Sequence, residues 1–229
     1  MTKTYYFLIY DNHVYNNYVN NLLESVKKFG KEFKIIVFDD KDIDPAFKNT
    51  FKEIFKLPRG AGYWLWKPYI IHETLKKIKE DDVVLYLDCK YVFIKDFYEN
   101  IKNCMENTDL FVWKNKPNER VWYMKNWCKM DVILKYDMYD KVFIENAEDC
   151  WSGAIVIKKN QNTLNCIQEW LDMCSNREDV SDSPSKSKNS ELFKEHRHDQ
   201  ALFSIVLHKH NYKLHYFEKD FLQNVRCPF

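Results

Sequence analysis

The stretch Asp81-Asp82-Val83-Val84-Leu85-Tyr86-Leu87-Asp88-Cys89-Lys90 limits what this chain can fold into more than any other. Five apolar or aromatic residues stand in a row between charged ends. Such a run reads as a strand covered on both faces, and a strand of that kind belongs at the centre of an α/β sheet. Asp88 closes it. In open α/β sheets the ligand crevice lies outside the carboxyl ends of the strands. Asp88 therefore stands where ligands bind, although taken alone it reads equally well as a solvated strand-end carboxylate.

The flanking patterns agree with such a sheet. Residues 4–10 are an aromatic and β-branched run that predicts a first strand, and Asp11-Asn12-His13 turns it into a helix with Val14, Tyr18, Leu22, Val26 and Phe29 at helical spacing. Residues 33–38 predict a second strand that closes on Asp39-Asp40. Strand, helix, strand at this spacing is a βαβ unit, and so a parallel sheet. A helix over 46–55 and a loop at Pro58-Arg59-Gly60-Ala61-Gly62 come next, then a helix with Pro68 in its first turn. Ile71, Leu75 and Ile78 give that helix a buried stripe.

Beyond Lys90 the pattern predicts a helix over 96–105 and a strand over 109–113. Residues 114–149 read as irregular structure with short helices lining a cleft. A buried strand over 153–157 precedes an amphipathic helix carrying Leu164, Ile167, Leu171 and Cys174. The Ser-, Asp- and Lys-rich segment 175–190 predicts a mobile loop and candidate lid. A helix over 199–208 and a strand over 212–217 complete the chain. The expected architecture is α/β, a single domain over 1–229 with a nucleotide-binding half over about 1–113 and the rest after it.

Composition narrows the function. A chain of 229 residues with 45% hydrophobic and 17% aromatic residues buries a full core. A formal net charge of +1, spread along the chain, gives no basic footprint for nucleic acid. The seven cysteines are odd in number and lack CxxC or other zinc spacing, so they read as reduced thiols. With no signal-peptide pattern and no apolar run long enough to span a bilayer, the expectation is a cytoplasmic protein without a transmembrane segment.

Asp11, Asp39, Asp40 and Asp88 all follow predicted parallel strands, which puts four acids on one sheet edge. There they can hold Mg²⁺ or Mn²⁺ against a diphosphate, or hydrogen-bond a ribose. Lys67 adjoins a helix N-terminus that favours anions, and Arg59, Gly60 and Gly62 before it allow close backbone approach. Trp64 and Trp66 suit core packing as well as a ligand wall.

Arg59-Gly-Ala-Gly-Tyr-Trp-Leu-Trp-Lys-Pro-Tyr69, Val84-Leu-Tyr-Leu-Asp88, Trp151-Ser-Gly-Ala-Ile-Val-Ile157 and His196-Arg-His-Asp-Gln-Ala-Leu-Phe-Ser204 together resemble GT-A-fold glycosyltransferases. The resemblance is to the small capsular-polysaccharide and large-DNA-virus type. The motif order is similar to that of the glycogenin and lipopolysaccharide-galactosyltransferase group. This resemblance implies that Tyr10, Asp11, Asn12, Asp39 and Asp40 hold the base and ribose of a nucleotide-sugar, with Arg59, Gly62, Trp66 and Lys67 also on the donor side. It implies that Trp151, Ser152 and Gly153 border the sugars on the acceptor side, the half beyond about residue 114. Asp199 and Gln200, beside His198, face the reacting anomeric carbon, and Asp88 is the first acid of an Asp-x-Asp metal motif.

The second acid of that motif is Lys90 here. Two expectations follow. Either Asp88 with His215 binds Mn²⁺ or Mg²⁺, or Lys90 itself neutralises the leaving diphosphate without a metal. The reaction implied is transfer of a sugar from a nucleotide donor, UDP-linked, to a glycan or other hydroxyl, with retention. Asp88→Asn or Asp199→Ala should abolish it while leaving the melting temperature nearly unchanged. Two other classes are a non-catalytic nucleotide- or carbohydrate-binding module, and a metal-dependent hydrolase built on His196, His198 and Asp199.

Overall fold

The computed structural model describes residues 3–114, 122–216 and 219–225. Its centre is β3 (Val83–Leu87), buried at every position. Alternation divides the strand between two cores, Val83, Leu85 and Leu87 on one face and Val84 and Tyr86 on the other. β1 (Tyr5–Asp11) pairs in parallel with β3 and with β2 (Phe33–Asp39), and the register sets Asp11 opposite Asp39.

Among the described residues, β5 (Leu110–Lys114), β6 (Trp151–Lys158) and β7 (Leu214–Tyr216) extend this to a six-stranded sheet in the order β2-β1-β3-β6-β5-β7. β6 runs antiparallel to both β3 and β5, while β7 is parallel to β5. The sheet is therefore mostly parallel with one reversed strand, the α/β class expected. The reversal matters for function: it sets the start of β6, not its end, beside the end of β3, where the Asp88 N–H donates to the Gly153 carbonyl at 2.8 Å.

Helices cover both faces. Trp66–Lys77, Gln161–Cys174 and His198–Lys209 pack on one side through Ile70, Ile71, Ile167, Trp170, Phe203 and Val206. Asn16–Phe29 packs on the other through Val19, Leu22 and Val26. The His198–Lys209 helix is buried on all sides, as a helix apolar around its circumference must be. Val14 lies before the Asn16–Phe29 helix and is 74% exposed, because the turn after β1 takes two residues more than the spacing implies.

Elsewhere the chain departs from expectation. Met124–Trp127, Met130–Lys135 and Tyr139–Phe143 are short helices, as anticipated, and residues 115–121 lie outside the described set. The segment 175–190 is not the free loop its composition suggests. Asp131 accepts from the N–H groups of Lys186 (2.6 Å) and Ser187 (2.8 Å), and the buried Lys129 ammonium donates to carbonyls of Glu178, Ser181 and Ser183. These bonds satisfy backbone groups that a free loop would give to water, so we withdraw the lid. β8 (Leu222–Asn224), unforeseen, pairs with β4 (Tyr91–Phe93). Phe217 and Cys227 lie outside the described residues. The other six cysteines are free thiols, and burial pushes Cys166 up to about 12 and Cys104 to about 11. No helix among the described residues is long and apolar enough to cross a membrane.

Candidate active site

A cleft of about 520 Å³ opens at the carboxyl ends of β1 and β3 and the start of β6. The buried ammonium of Lys67 forms its floor. This side chain, 3% exposed in the first turn of the Trp66–Lys77 helix, reaches Asp199 Oδ2 at 2.9 Å, Ser152 Oγ at 3.3 Å and Asp88 Oδ1 at 3.7 Å. Burial alone would lower its pKa, but the carboxylates of Asp199 and Asp88 outweigh that and raise it. Lys67 is therefore a fixed positive charge. Ser152 also donates to Asp199 Oδ2 at 3.0 Å. Both bonds fall on one oxygen, so Oδ1 is the one available to a bound molecule.

Asp88 is tied from below by the Tyr86 hydroxyl, which donates to Oδ1 at 2.8 Å. Residues 86 and 88 share a sheet face, so alternation alone allows this contact. Lys90 Nζ lies 3.6 Å from Oδ2. Gly153 is required here: a Cβ on it would stand 2.5 Å from Trp151 Nε1 and 2.9 Å from Asp88 Oδ2. The strand pairing and the missing side chain together bring Trp151, Ser152 and Gly153 against Asp88.

One wall is a left-handed turn where a loop was expected. Gly60, Ala61, Gly62, Tyr63 and Trp64 have φ of 60°, 52°, 90°, 51° and 60°. The turn is held by the Trp66 indole, which donates to Gly60 O at 2.9 Å, and by the Tyr63 hydroxyl, which donates to Asp182 at 2.8 Å. Trp66 stacks on Tyr10 with centroids 4.1 Å apart. Tyr10, Asn12, Gly60, Trp64 and Trp66 line the cleft, whereas Gly62 packs against Phe55 behind it. Arg59 lines the mouth and is held by Asp182 and Glu195.

Asp11, Asp39 and Asp40 are not on the cleft wall. Asp39 caps the short helix after β2, and the Lys41 N–H it accepts is the chief reason its pKa is lowered. His13 sits 3.6 Å from both Asp11 and Asp39, and Asp40 pairs with Lys48. Only a ligand extending past Asn12 reaches this edge.

The two histidines serve the fold. His196 Nε2 meets Asp179 O at 2.7 Å and its Nδ1 accepts from the Lys129 N–H at 3.4 Å, so both of its nitrogens are engaged, while His198 Nδ1 meets Val180 O at 2.8 Å. Burial, with His198 and Lys129 nearby, pushes His196 down to about 3. His198 lines the cleft, yet its Nε2 makes no hydrogen bond. Gln200 also lines the cleft and its amide nitrogen donates to Asp149. Sequence reasoning passed over Asp149, because the stretch before Trp151 carries no periodicity. It also passed over Trp122 and Tyr91 on the walls, and gave no part to Arg197, which lines the cleft with the rest of its motif.

The residues at Asp88 do not fit a divalent ion. One ammonium stands within 4 Å of each carboxylate oxygen, so a divalent ion at Asp88 would meet two fixed positive charges at short range. His215 stacks on Phe111 at 4.0 Å in β7, three strands from β3 in the sheet order. At about 4.8 Å per strand that separation is roughly 14 Å, beyond any shared coordination sphere. No group of three His, Cys, Asp or Glu among the described residues is placed to hold a metal.

No protein-family model matches the sequence, and no curated protein does. Solved structures match. The glycosyltransferase GlyE of Streptococcus pneumoniae TIGR4 aligns over 95% of this chain and 46% of its own, with a TM-score of 0.50 and 11% identity. The bifunctional glycosyltransferase WbbM aligns over 96% of this chain and 39% of its own, with a TM-score of 0.54 and 13% identity. The chain thus spans less than half the length of these proteins. The likeness is one of fold, the GT-A arrangement of the sequence resemblance.

Proposed function

We propose that this chain, with the fold of those glycosyltransferases, transfers a sugar from a nucleotide-sugar donor, UDP-linked, to a hydroxyl of a glycan. The observation that carries the proposal is the Lys67–Asp199–Ser152–Asp88 cluster at the end of the central strand, where a sheet of this class presents its ligand site. Four cationic side chains (Arg59, Lys67, Lys90 and Arg197) and two carboxylates (Asp88 and Asp199) line the cleft, a balance that suits a diphosphate.

In the reaction the bond from the anomeric carbon to the diphosphate oxygen breaks, and the electron pair leaves with the nucleoside diphosphate. The acceptor oxygen bonds to the same face of that carbon, and its proton passes to the diphosphate oxygen. Negative charge grows on the leaving group, and fixed cations facing it are the largest source of acceleration. Lys90 supplies that charge, held at the site by Asp88. Asp199 Oδ1 faces the positive charge that grows on the sugar. No step requires a divalent ion.

The test is thermal stabilisation by nucleoside diphosphates and their sugars, in Mn²⁺ and in EDTA, beside an assay of donor turnover. A shift from one base family, equal in both buffers and accompanied by turnover, supports the proposal. A shift that exists only with Mn²⁺ overturns the metal-free reaction. Binding without turnover makes the chain a sugar-nucleotide-binding module, and no shift at all removes the nucleotide.

A further inference from the structure

Asp149 takes no part in the reaction set out above, yet at 1% exposure it is buried behind the cleft wall. Its Oδ2 accepts from Gln200 Nε2 and its Oδ1 accepts from the Ser204 hydroxyl at 2.8 Å. Ser204 in turn accepts from the Cys150 N–H at 2.9 Å, and the Asp149 N–H donates to Trp122 O. The carboxylate is thus fixed from the loop before β6 and from the His198–Lys209 helix together. Gln200 follows Asp199 in the first turn of that helix and lines the cleft.

A carboxamide has one donating end and one accepting end, and an ionised carboxylate only accepts. Asp149 therefore takes the nitrogen of Gln200 and leaves its oxygen for the cleft. We propose that Asp149 is a positioning residue, whose carboxylate holds the Gln200 amide oxygen towards the donor's anomeric carbon, where positive charge develops. This rests on the glycosyl-transfer reading, in which Gln200 faces the anomeric carbon, and adds to it the residue that orients Gln200. A charged acceptor makes the stronger hydrogen bond, so the amide keeps one orientation while Asp149 is ionised.

Protonation removes the charge that fixes the arrangement. A neutral Asp149 carries an O–H that suits the Gln200 oxygen, and the rotated amide then turns its N–H groups to the developing cation. Burial pushes Asp149 up to about 7; the bonds from Ser204 and Gln200 and the Arg197 guanidinium lower it, and Asp199 raises it. The adjacent Cys128 and Cys150 thiols are both raised by burial and stay neutral. The amide therefore switches in the neutral range, and transfer is present above about pH 7 and lost as pH falls through it.

The experiment follows the Gln200 side-chain amide by ¹⁵N NMR, assigned by its loss in Gln200→Met, together with kcat and donor KM against pH. In the wild type the amide signals should titrate with a midpoint near that of Asp149. In Asp149→Asn they should not titrate, and kcat should be down about tenfold or more at pH 8. The kcat profile of the variant should be flat, with donor KM within about twofold of wild type. Amide signals in the wild type that ignore pH overturn the clamp, even if the variant fails to fold. A folded Asp149→Asn that keeps kcat within about twofold overturns the positioning role. If the wild type turns over no donor, the transferase reading fails and the role at the anomeric carbon falls with it, while the amide titration still decides the clamp.

Discussion

Lys67 and Asp199 form an ion pair with Nζ and Oδ2 2.9 Å apart, although 132 residues separate them and their side chains are only 3% and 5% exposed. Two charges taken out of water this far are held by each other and by Ser152. Removing either strands the other, and Asp88 does not fully replace Asp199 as a partner because it lies at 3.7 Å. The sequence led us to expect a neutral melting temperature for Asp199→Ala, and the burial of this pair reverses that. Lys67→Met and Asp199→Ala should each lose about 3–5 kcal/mol, or roughly 10 °C in Tm for a chain of this size. Thermal and urea denaturation test it, and single variants that melt with the wild type would refute the pair's structural weight.

Gly153 gives a separate test of the site's geometry. The methyl of Gly153→Ala must displace the Trp151 indole or the Asp88 carboxylate, since it would meet them at 2.5 and 2.9 Å. Turnover should fall about a hundredfold, and Tm should fall by only a few degrees because both neighbours face the cleft. An alanine variant with wild-type kcat would mean that Asp88 does not act from its observed position.

Acid stability should depend on His196. Folded, its pKa is about 3; in the unfolded chain it returns to about 6.5. Between these values only the unfolded chain binds the proton, so this stability is present above about 6.5 and lost as pH falls. Asp149 slopes the other way over the same window, because its folded pKa is raised to about 7. Comparing wild type with His196→Gln cancels Asp149. The gap in unfolding free energy should shrink by about 3 kcal/mol between pH 7 and pH 4. A gap independent of pH would place a charged imidazole in the fold.

Residues 175–190 should resist protease. Asp131 holds the backbone at Lys186 and Ser187, so trypsin should cleave after Lys186 or Lys188 slowly in the wild type and about tenfold faster in Asp131→Ala. Equal rates would restore the mobile loop.

Local sequence signals carried the six strands of the main sheet and the helix over 198–209, because burial on both sides leaves an uninterrupted apolar run at β3 and in that helix. The end of the β3 run put Asp88 at the cleft, and the family resemblance put Asp199 beside it. Periodicity does not record direction, so the reversal of β6, and with it the meeting of Gly153 and Asp88, was out of reach. Nor does it record depth: Lys67 read as a cation at a helix start and is instead a buried counter-ion. His215 falls three strands from β3, a separation across the sheet that a motif in sequence does not record, and Asp149 was hidden because its partners lie 51 and 55 residues away.

The turn at residues 60–64 also bears on the order in which the molecule assembles. Ala61, Tyr63 and Trp64 each hold a left-handed backbone, which L-residues avoid by about 1 kcal/mol or more apiece. An isolated chain does not keep such a conformation, so it forms only after Asp182 and Tyr10 have arrived to hold it. Contacts that form so late are expected to be missing from the folding transition state. Weakening them hastens unfolding without slowing folding. This cleft wall is then expected among the last parts to close and the first to open, so loss of binding should run ahead of loss of fold as the protein is warmed.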